Sequence, residues 1–418
     1  MEHIEHYITE IKIEELRHLS NLTIELKKNK RTNLLLTGKN GSGKTTVLQA
    51  VKKYLNAIAD NQFSELKNAM LFELLYYKDR MQSDANEDER YQAQKSYGIW
   101  LNEIKRYKDG IDVTFNDEDG LDGLYQNGKF ILAYYSADRK TEIRKISGVE
   151  EVILDTSYNL DANPGTTLLK YLVHLKTQQA YARNEGDMET VEVLEQWFAR
   201  FTEALKTLLD DPGLKLEYDY KNYNFQIIEE GRKPFGFDQL SDGYSAAIQI
   251  VADLILRMEQ NWLKKGILST YDTEGIVLID ELETHLHIAL QKKILPFLTS
   301  FFPRIQFIVT THSPYILNSI EECVIYDLEK QIRMEDMSDY SAEGIVEGYF
   351  GLEAYSEKLL KNVKRYAELV EKDNPTEEER DERARIRTEL KQLSGDLSKE
   401  ARDAFEEIED RRKQHDKG

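Results

Sequence analysis

A single cysteine, Cys323, occurs among 418 residues, so neither an internal disulfide nor a zinc site built from cysteines alone can form. That fits a reducing cytosol. The seven prolines and the absence of compositional bias exclude a collagen-like or low-complexity chain. No run of about 18 apolar residues occurs, and the opening Met1-Glu2-His3-Ile4-Glu5-His6 lacks the basic-then-apolar pattern of a secretion signal. Secretion and any membrane partner are set aside, and a cytoplasmic location is expected. Positive charge is also scarce: 56 Lys and Arg against 76 Asp and Glu leave a formal charge of −20. Such a chain lacks the general positive field used in nonspecific nucleic-acid binding. Only Lys27, Lys28, Lys30, Arg31 and Arg139, Lys140, Arg144, Lys145 could form a local basic groove for nucleic acid, and scattered solvated charge is the plainer reading of both.

What is present is 40% hydrophobic and 32% charged residues, enough for a large core and two or three structural units. Residues 7–36 alternate like paired strands, and the last apolar run, Asn33-Leu34-Leu35-Leu36, leads into a glycine-rich turn. Val47, Leu48, Val51, Leu55 and Ile58 then follow helical spacing over 45–59. Residues 60–110 read as charged helices with Leu71, Leu74, Leu75, Trp100 and Ile104 buried. A buried strand is expected over 129–135, helices over 166–209, and a hairpin around Lys221-Asn222. Residues 275–330 alternate strand and helix, the mark of a parallel sheet. The tail from Tyr355 is charged and helical. Asn374 is placed to cap a helix there, with Glu377 reaching back to it, and the sparse apolar positions beyond suit docking on another helix.

Four segments carry chemistry. Gly38-Lys39-Asn40-Gly41-Ser42-Gly43-Lys44-Thr45 has the phosphate-loop spacing between a strand and a helix, with Thr46 following. Its backbone N–H groups can surround phosphate oxygens, Lys44 can pair with them, and the Thr45 hydroxyl can reach Mg²⁺. Ile276-Val277-Leu278-Ile279-Asp280-Glu281 is an apolar strand ending in two acids: Asp280 for the hydrated metal, Glu281 as the base for water. Leu240-Ser241-Asp242-Gly243 opens a helix with Ser241 as cap. Phe307-Ile308-Val309-Thr310-Thr311-His312 delivers a histidine to a strand end. His285 and His287, two apart, would point to different sides of a helix, which disfavours a metal site.

In this order the segments resemble the phosphate loop, signature, Walker B strand and switch histidine of an ABC-type ATPase head. Asp280-Glu281-Leu282-Glu283-Thr284-His285-Leu286-His287, Gln291 and Thr310-Thr311-His312-Ser313-Pro314 narrow the resemblance to the SMC/OLD-like branch. The stretch Glu347-Gly348-Tyr349-Phe350-Gly351-Leu352 and its charged tail are similar to stand-alone bacterial anti-phage defence ATPases of the PARIS and Septu kind. The resemblance implies an α/β P-loop NTPase head with an antiparallel N-terminal β layer, an inserted helical lobe and charged C-terminal helices. The head would comprise 1–59 and 231–350, the lobe 60–230 with a head strand near 129–135, and the tail 351–418. It further implies ATP and Mg²⁺, catalytic roles for Glu281 and His312, and nucleotide contacts from Gly38, Asn40, Gly41, Ser42, Gly43, Lys44, Thr45, Thr46, Ser241 and Gly243. Two heads would close around ATP, as a homodimer or higher homo-oligomer, with Ser241 and Gly243 acting across the pair.

The implied function is an ATP-hydrolysing sensor or regulator of defence, with a phage protein as a candidate trigger. A separately encoded effector, with a nuclease among the candidates, would then cut or poison. Asp336 and Asp339 are the nearest approach to a nuclease-like acid pair and lack the preceding strand. A DNA-repair ATPase and a transporter energy subunit are the alternatives. The sequence departs from the family in two places. Where a glutamine should follow the strand ending at Tyr135, it has Ser136-Ala137-Asp138-Arg139. The chain between Lys44 and Ser241 is also too short and too broken by turns for the long antiparallel arms of an SMC protein, so a compact helical lobe is expected there.

Overall fold

The alternation near the N-terminus resolves into antiparallel strands β1 (Ile8–Leu16) and β2 (Leu19–Glu25), with Ile11, Ile13, Leu22 and Ile24 turned inward. Here, as throughout, the structure is a computed structural model. It describes residues 5–82, 86–139, 146–263, 273–335, 337–346, 357–372, 375–393, 405 and 408–412. After β3 (Asn33–Thr37) come the helices α1 (Lys44–Ala59), α2 (Phe63–Lys67), α3 (Ala69–Gln82) and α4 (Glu87–Tyr107). The strand β4 (Ile111–Phe115) then returns to pair with the free edge of β1. Of the apolar positions expected inside over 60–110, Ile104 is buried and Leu71, Leu74 and Trp100 pack against the core. Leu75 is instead 64% exposed, because α3 meets the body only through the Met70, Leu71 and Leu74 side.

The central sheet has the order β12-β11-β3-β10-β9-β5. Its members are β5 (Phe130–Tyr135), β9 (Glu274–Ile279), β10 (Ile305–Thr310), β11 (Cys323–Asp327) and β12 (Ile332–Met334). All neighbours run parallel except the edge strand β12. Every residue of β9 and β10 is buried, which is why both read as unbroken apolar runs. Between them, α9 (Ile288–Phe301) makes the crossover, and α10 (Pro314–Leu317) follows β10. A separate sheet holds β6 (Lys215–Asp219), β7 (Asn224–Ile228) and β8 (Phe235–Gly236). The expected mixed α/β class with a parallel core is borne out. The side chain of Gln306, fully buried on β10, joins the two larger sheets. It accepts from Ile8 N at 2.7 Å and donates to Ile8 O at 3.0 Å and Thr32 O at 2.8 Å.

Residues 121–209 supply α5 (Leu121–Gln126), α6 (Leu168–Glu185) and α7 (Met188–Leu209), and these last two pack on α8 (Asp242–Leu263). Along α8 the apolar residues Ala247, Ile248, Ile250, Val251, Leu254 and Ile255 are buried. So is a polar stripe at four-residue spacing, Ser245, Gln249, Asp253 and Arg257. Arg257 pairs with Asp253 at 2.7 Å and donates to Leu132 O at 3.0 Å and to Tyr158 O and Asn159 O at 3.1 Å. Asp253 also accepts from the Tyr135 hydroxyl at 2.5 Å and Gly165 N at 3.2 Å. A charge pair in such a place persists because nearly every polar atom has a partner.

Residues 341–418 form a second compact unit, containing α11 (Ala342–Gly344), α12 (Glu357–Glu371) and α13 (Glu377–Leu393). Its apolar stripe, expected from sequence to dock on another helix, is taken up within the unit itself. Tyr366, Leu369, Val370, Ile386, Leu390, Phe405 and Ile408 bury one another. Arg387 pairs with Glu409 at 2.8 Å and holds that carboxyl down at about 2. The cap of α13 is Thr376, whose hydroxyl accepts from Glu379 N at 3.3 Å while Glu379 accepts from Thr376 N at 2.9 Å. Asn374, the expected cap, lies outside the described residues, as do Asp336 and 347–352. Among the described residues, no helix is long and apolar enough to cross a membrane.

Glu259 on α8 is 2% exposed and accepts the Trp197 indole N–H at 3.2 Å. Burial pushes its carboxyl up to about 7, against the opposing pull of hydrogen bonds from Trp197 and Tyr171. The folded chain therefore holds this proton more tightly than the unfolded chain. Its contribution to stability is complete below pH 4.5, the ordinary value, and is lost as the pH rises through about 7. Glu259→Gln should match the unchanged protein at acid pH and exceed its stability at pH 8 by about 2–3 kcal/mol in urea unfolding. Parallel stability–pH curves for the two proteins would refute this.

Candidate active site

Leu36 on β3 is level with Thr310 on β10, and Val309 with Ile279 on β9, so the carboxyl ends of the three strands open at one place. In open parallel sheets this edge is where ligands bind. The loop leaving β3 places Gly38, Gly41 and Gly43 at φ 132°, 84° and 100°, values that side-chain-bearing residues rarely adopt. A Cβ on Gly38 would also meet Ser42 Oγ at 2.9 Å. The loop ends at α1, whose cap Gly43 offers no side chain and whose first turn has no acid. The N–H groups there thus have no internal anion to satisfy them. The buried hydroxyls of Thr37 and Ser42 have no partner among the described residues, while Asn40 and Gly41 are exposed and Thr45 and Thr46 half-buried. Lys44 is buried and donates to Gly38 O at 2.9 Å and Lys39 O at 3.1 Å. Burial lowers its pKa, and Glu281, Glu283, Asp280 and Asp327 oppose that shift.

Across the opening, Asp280 is buried and its Oδ1 accepts from Thr310 Oγ1 at 2.6 Å and Thr45 Oγ1 at 3.1 Å. The structure thus brings Asp280 to the adjacent Lys44 and Thr45, from 235 positions beyond Thr45 in the sequence. Glu281 follows with φ 45°, and its N–H donates to Thr310 Oγ1 at 2.7 Å. Glu283 accepts from His312 N at 2.5 Å and Thr311 Oγ1 at 2.8 Å, binding the loop after β9 to the loop after β10. Gln291 accepts from Ser313 Oγ at 2.6 Å and donates to Leu286 O at 2.8 Å, a second tie between the same loops. Burial and then the charge of Lys44 lower the pKa of His312, so its imidazole is biased toward the neutral form.

Ser241 is not part of this cluster. It is exposed, and lines a different cavity with Asp210, Arg232 and Tyr244. Gly243 is buried, and a Cβ there would meet His285 O at 2.5 Å, so the start of α8 rests on the loop after Glu281. Residues 284–287 are not helical, which removes the helix-side argument about His285 and His287. His287 instead caps α9, accepting from Ala289 N at 3.4 Å. Among the described residues no group of three His, Cys, Asp or Glu could hold a metal. Of the basic clusters, Lys27, Lys30 and Arg31 pair with Glu335, Glu322 and Glu5. Lys140, Arg144 and Lys145 lie outside the described residues.

The donor set fits the groups expected there. A hydroxyl and a carboxylate oxygen, already 3.1 Å apart, are the hard ligands Mg²⁺ takes, and the uncapped α1 terminus with Lys44 suits phosphate. Sequence reasoning quoted Thr310, Thr311, Glu283 and Gln291 within motifs without giving them work. The only signal for them was hydroxyls at the end of one strand beside acids at the end of its neighbour.

A parallel sheet that presents a glycine loop, a buried strand-end aspartate and a neighbouring switch loop defines a P-loop ATPase-type domain of the ABC class. The chain belongs to the family described as AAA domain, putative AbiEii toxin, type IV TA system, whose model matches residues 34–318. It is 25% identical over 409 residues to the Septu protein PtuA of Bacillus mycoides (strain KBAB4), covering 94% of this chain and 50% of that one. It is 23% identical over 386 residues to the Septu protein PtuA of Bacillus thuringiensis, covering 88% of this chain and 90% of that one. The chain thus spans about half the length of the first relative and most of the second. A solved SMC head bound to the C-winged helix domain of ScpA aligns with 80% of this chain and 99% of its own, at 14% identity and TM-score 0.38. The resemblance to defence proteins of the Septu kind is borne out.

Thr310→Val keeps shape but removes the hydroxyl shared by Asp280 and the Glu281 N–H. It should destabilise the fold by about 1–3 kcal/mol in urea unfolding, since two buried polar groups lose their partner. A loss below about 0.5 kcal/mol would show that both groups find others.

Proposed function

We propose that this chain is a cytoplasmic ATPase of bacterial anti-phage defence that hydrolyses ATP to ADP and phosphate. We place it as a sensor or regulator working with a separately encoded effector, with a nuclease among the candidates and a phage protein as a candidate trigger. The observation that carries this reading is the meeting of Lys44, Thr45, Asp280, Glu281 and His312 at the ends of three adjacent strands. The names of the Septu relatives support the defence setting.

In this reading residues 1–59 and 231–350 make the head, with 60–230 inserted and 351–418 as tail. Lys44 releases its two loop carbonyls to pair with phosphate oxygens, and the N–H groups of 41–46 bind the same oxygens. Thr45 and Asp280 would hold Mg²⁺, which when bound supplies charge to offset the phosphates. Glu281 accepts the proton of the attacking water at its carboxylate, and neutral His312 donates a hydrogen bond toward the terminal phosphate. Exposed Ser241, which lines a different cavity from the Lys44 cluster, contacts nucleotide held by a second copy, with Gly243 at the same helix start, so ATP becomes part of a head-to-head interface.

Glu281→Gln keeps size and hydrogen bonding but cannot take the proton. Its kcat should fall by on the order of 10²–10⁴ while ATP binds and a closed pair accumulates in sedimentation. Lys44→Ala should lose ATP binding with its thermal midpoint retained. Wild-type turnover in the first variant, or normal nucleotide affinity in the second, would overturn the site.

Ser241→Arg tests closure between copies. It should block hydrolysis and pairing while leaving ATP binding to the single chain intact. Full-rate hydrolysis by that variant as a monomer would remove the interface from the mechanism.

A further inference from the structure

The loop where the resemblance leads one to expect a glutamine ends in Arg139, whose side chain is aimed at the backbone of the loop after β9. Arg139 Nη1 donates to Asp280 O at 2.8 Å, and Nη2 donates to Glu281 O at 3.0 Å and Leu282 O at 3.3 Å. Three successive carbonyls therefore converge on one planar fork, an arrangement a guanidinium can satisfy and a single amide cannot. The middle residue is Glu281, held at φ 45°, a left-handed conformation that a glutamate adopts only when its surroundings enforce it. The enforcing contacts are the Thr310 hydroxyl on its N–H, at 2.7 Å, and Arg139 on its carbonyl. On its other side Arg139 Nε has no partner among the described residues. It lies by a cavity of about 360 Å³ that is also lined by Tyr134, Asp138, Ala246 and Gln249. Arg139 thus stands between the loop of Glu281 and the helix that begins at the signature.

We propose that Arg139 is the positioning residue that fixes the strained Glu281 loop in its reactive shape. The proposal rests on the reading of Glu281 as the base and adds a residue that reading does not contain. Arg139 touches no reacting atom. It acts by holding the carbonyls of 280–282, so that the Glu281 carboxylate projects to one place. Without it the loop relaxes toward negative φ, and the carboxylate moves by a distance that matters for a positioned base.

The test compares Arg139→Met, which keeps length but has no donors, with Arg139→Lys, which keeps charge but not the fork. The first measurement is amide hydrogen exchange of the full chain without nucleotide. Exchange over 280–286 should speed up at least tenfold in the Met variant, less in the Lys variant, with the protection of β3 and β10 unchanged. The second is steady-state ATP hydrolysis, where kcat should fall about ten- to hundredfold with KM within threefold, the Lys variant lying between. Native exchange over 280–286 in both variants would overturn the proposal, as would a change in KM with kcat unaltered. If Arg139→Met does not fold, the Lys variant alone decides by the same two measurements. Full turnover by Glu281→Gln would remove the base assignment, whereas the exchange result would still decide whether Arg139 holds the loop.

Discussion

The chemistry of this molecule depends on β10 pairing in parallel with β3 on one side and β9 on the other. That register sets Thr310 level with Leu36 and lets its hydroxyl reach Asp280 at 2.6 Å. A slip of one residue would turn the hydroxyl to the opposite face of the sheet, since side chains alternate with period two. Asp280 and the Glu281 N–H would then lose the same partner at once. The sheet is thus a ruler for the site as well as its support. Glu283 and Gln291 extend the ruler, tying the loops beyond the strands as firmly as the strands are tied to each other.

Much of this was legible in the amino-acid order because local signals and the global fold agree. The apolar runs at 276–279 and 307–309 could hardly be anything but buried strands, and a glycine loop between a strand and a helix has few structural alternatives. What stayed hidden is polar and long-range. The stripe Ser245, Gln249, Asp253, Arg257 reads as the wet side of α8, but Arg257 finds four backbone carbonyls and Asp253 the Tyr135 hydroxyl. Hydrophobic periodicity has no means of showing that a charge has a buried partner. The tail failed in the opposite sense: its sparse apolar residues suggested a surface for another chain, yet they are enough to close a small core of their own. Thr376 in place of Asn374 as the cap is the shift of two residues expected wherever several capping residues stand together.

The buried network of α8 also bears on the site. Through Arg257 and Asp253, the helix that begins at Gly243 is bonded to Tyr135 and to the carbonyl of Leu132 on β5. Arg139 follows β5 and grips the loop after β9. At its other end the helix rests on the His285 carbonyl. Helix α8, edge strand β5 and the loop after β9 therefore form a closed ring of contacts, held largely by polar ties.

The tie between Ile8 and Gln306 has a consequence for the making of the protein. The two residues are 298 positions apart, and β3 finds both of its neighbours, β10 and β11, only in the same late stretch of chain. At the roughly 5–20 residues per second of synthesis, β3 leaves the ribosome tens of seconds before its partners exist, and β1, though it has β2 beside it, waits as long for Gln306. During that interval the strand that will carry the phosphate loop has two open edges and an apolar sequence. Folding of the central sheet therefore waits until β10 and β11 have been made, and until then the open edges of β3 are a pairing hazard.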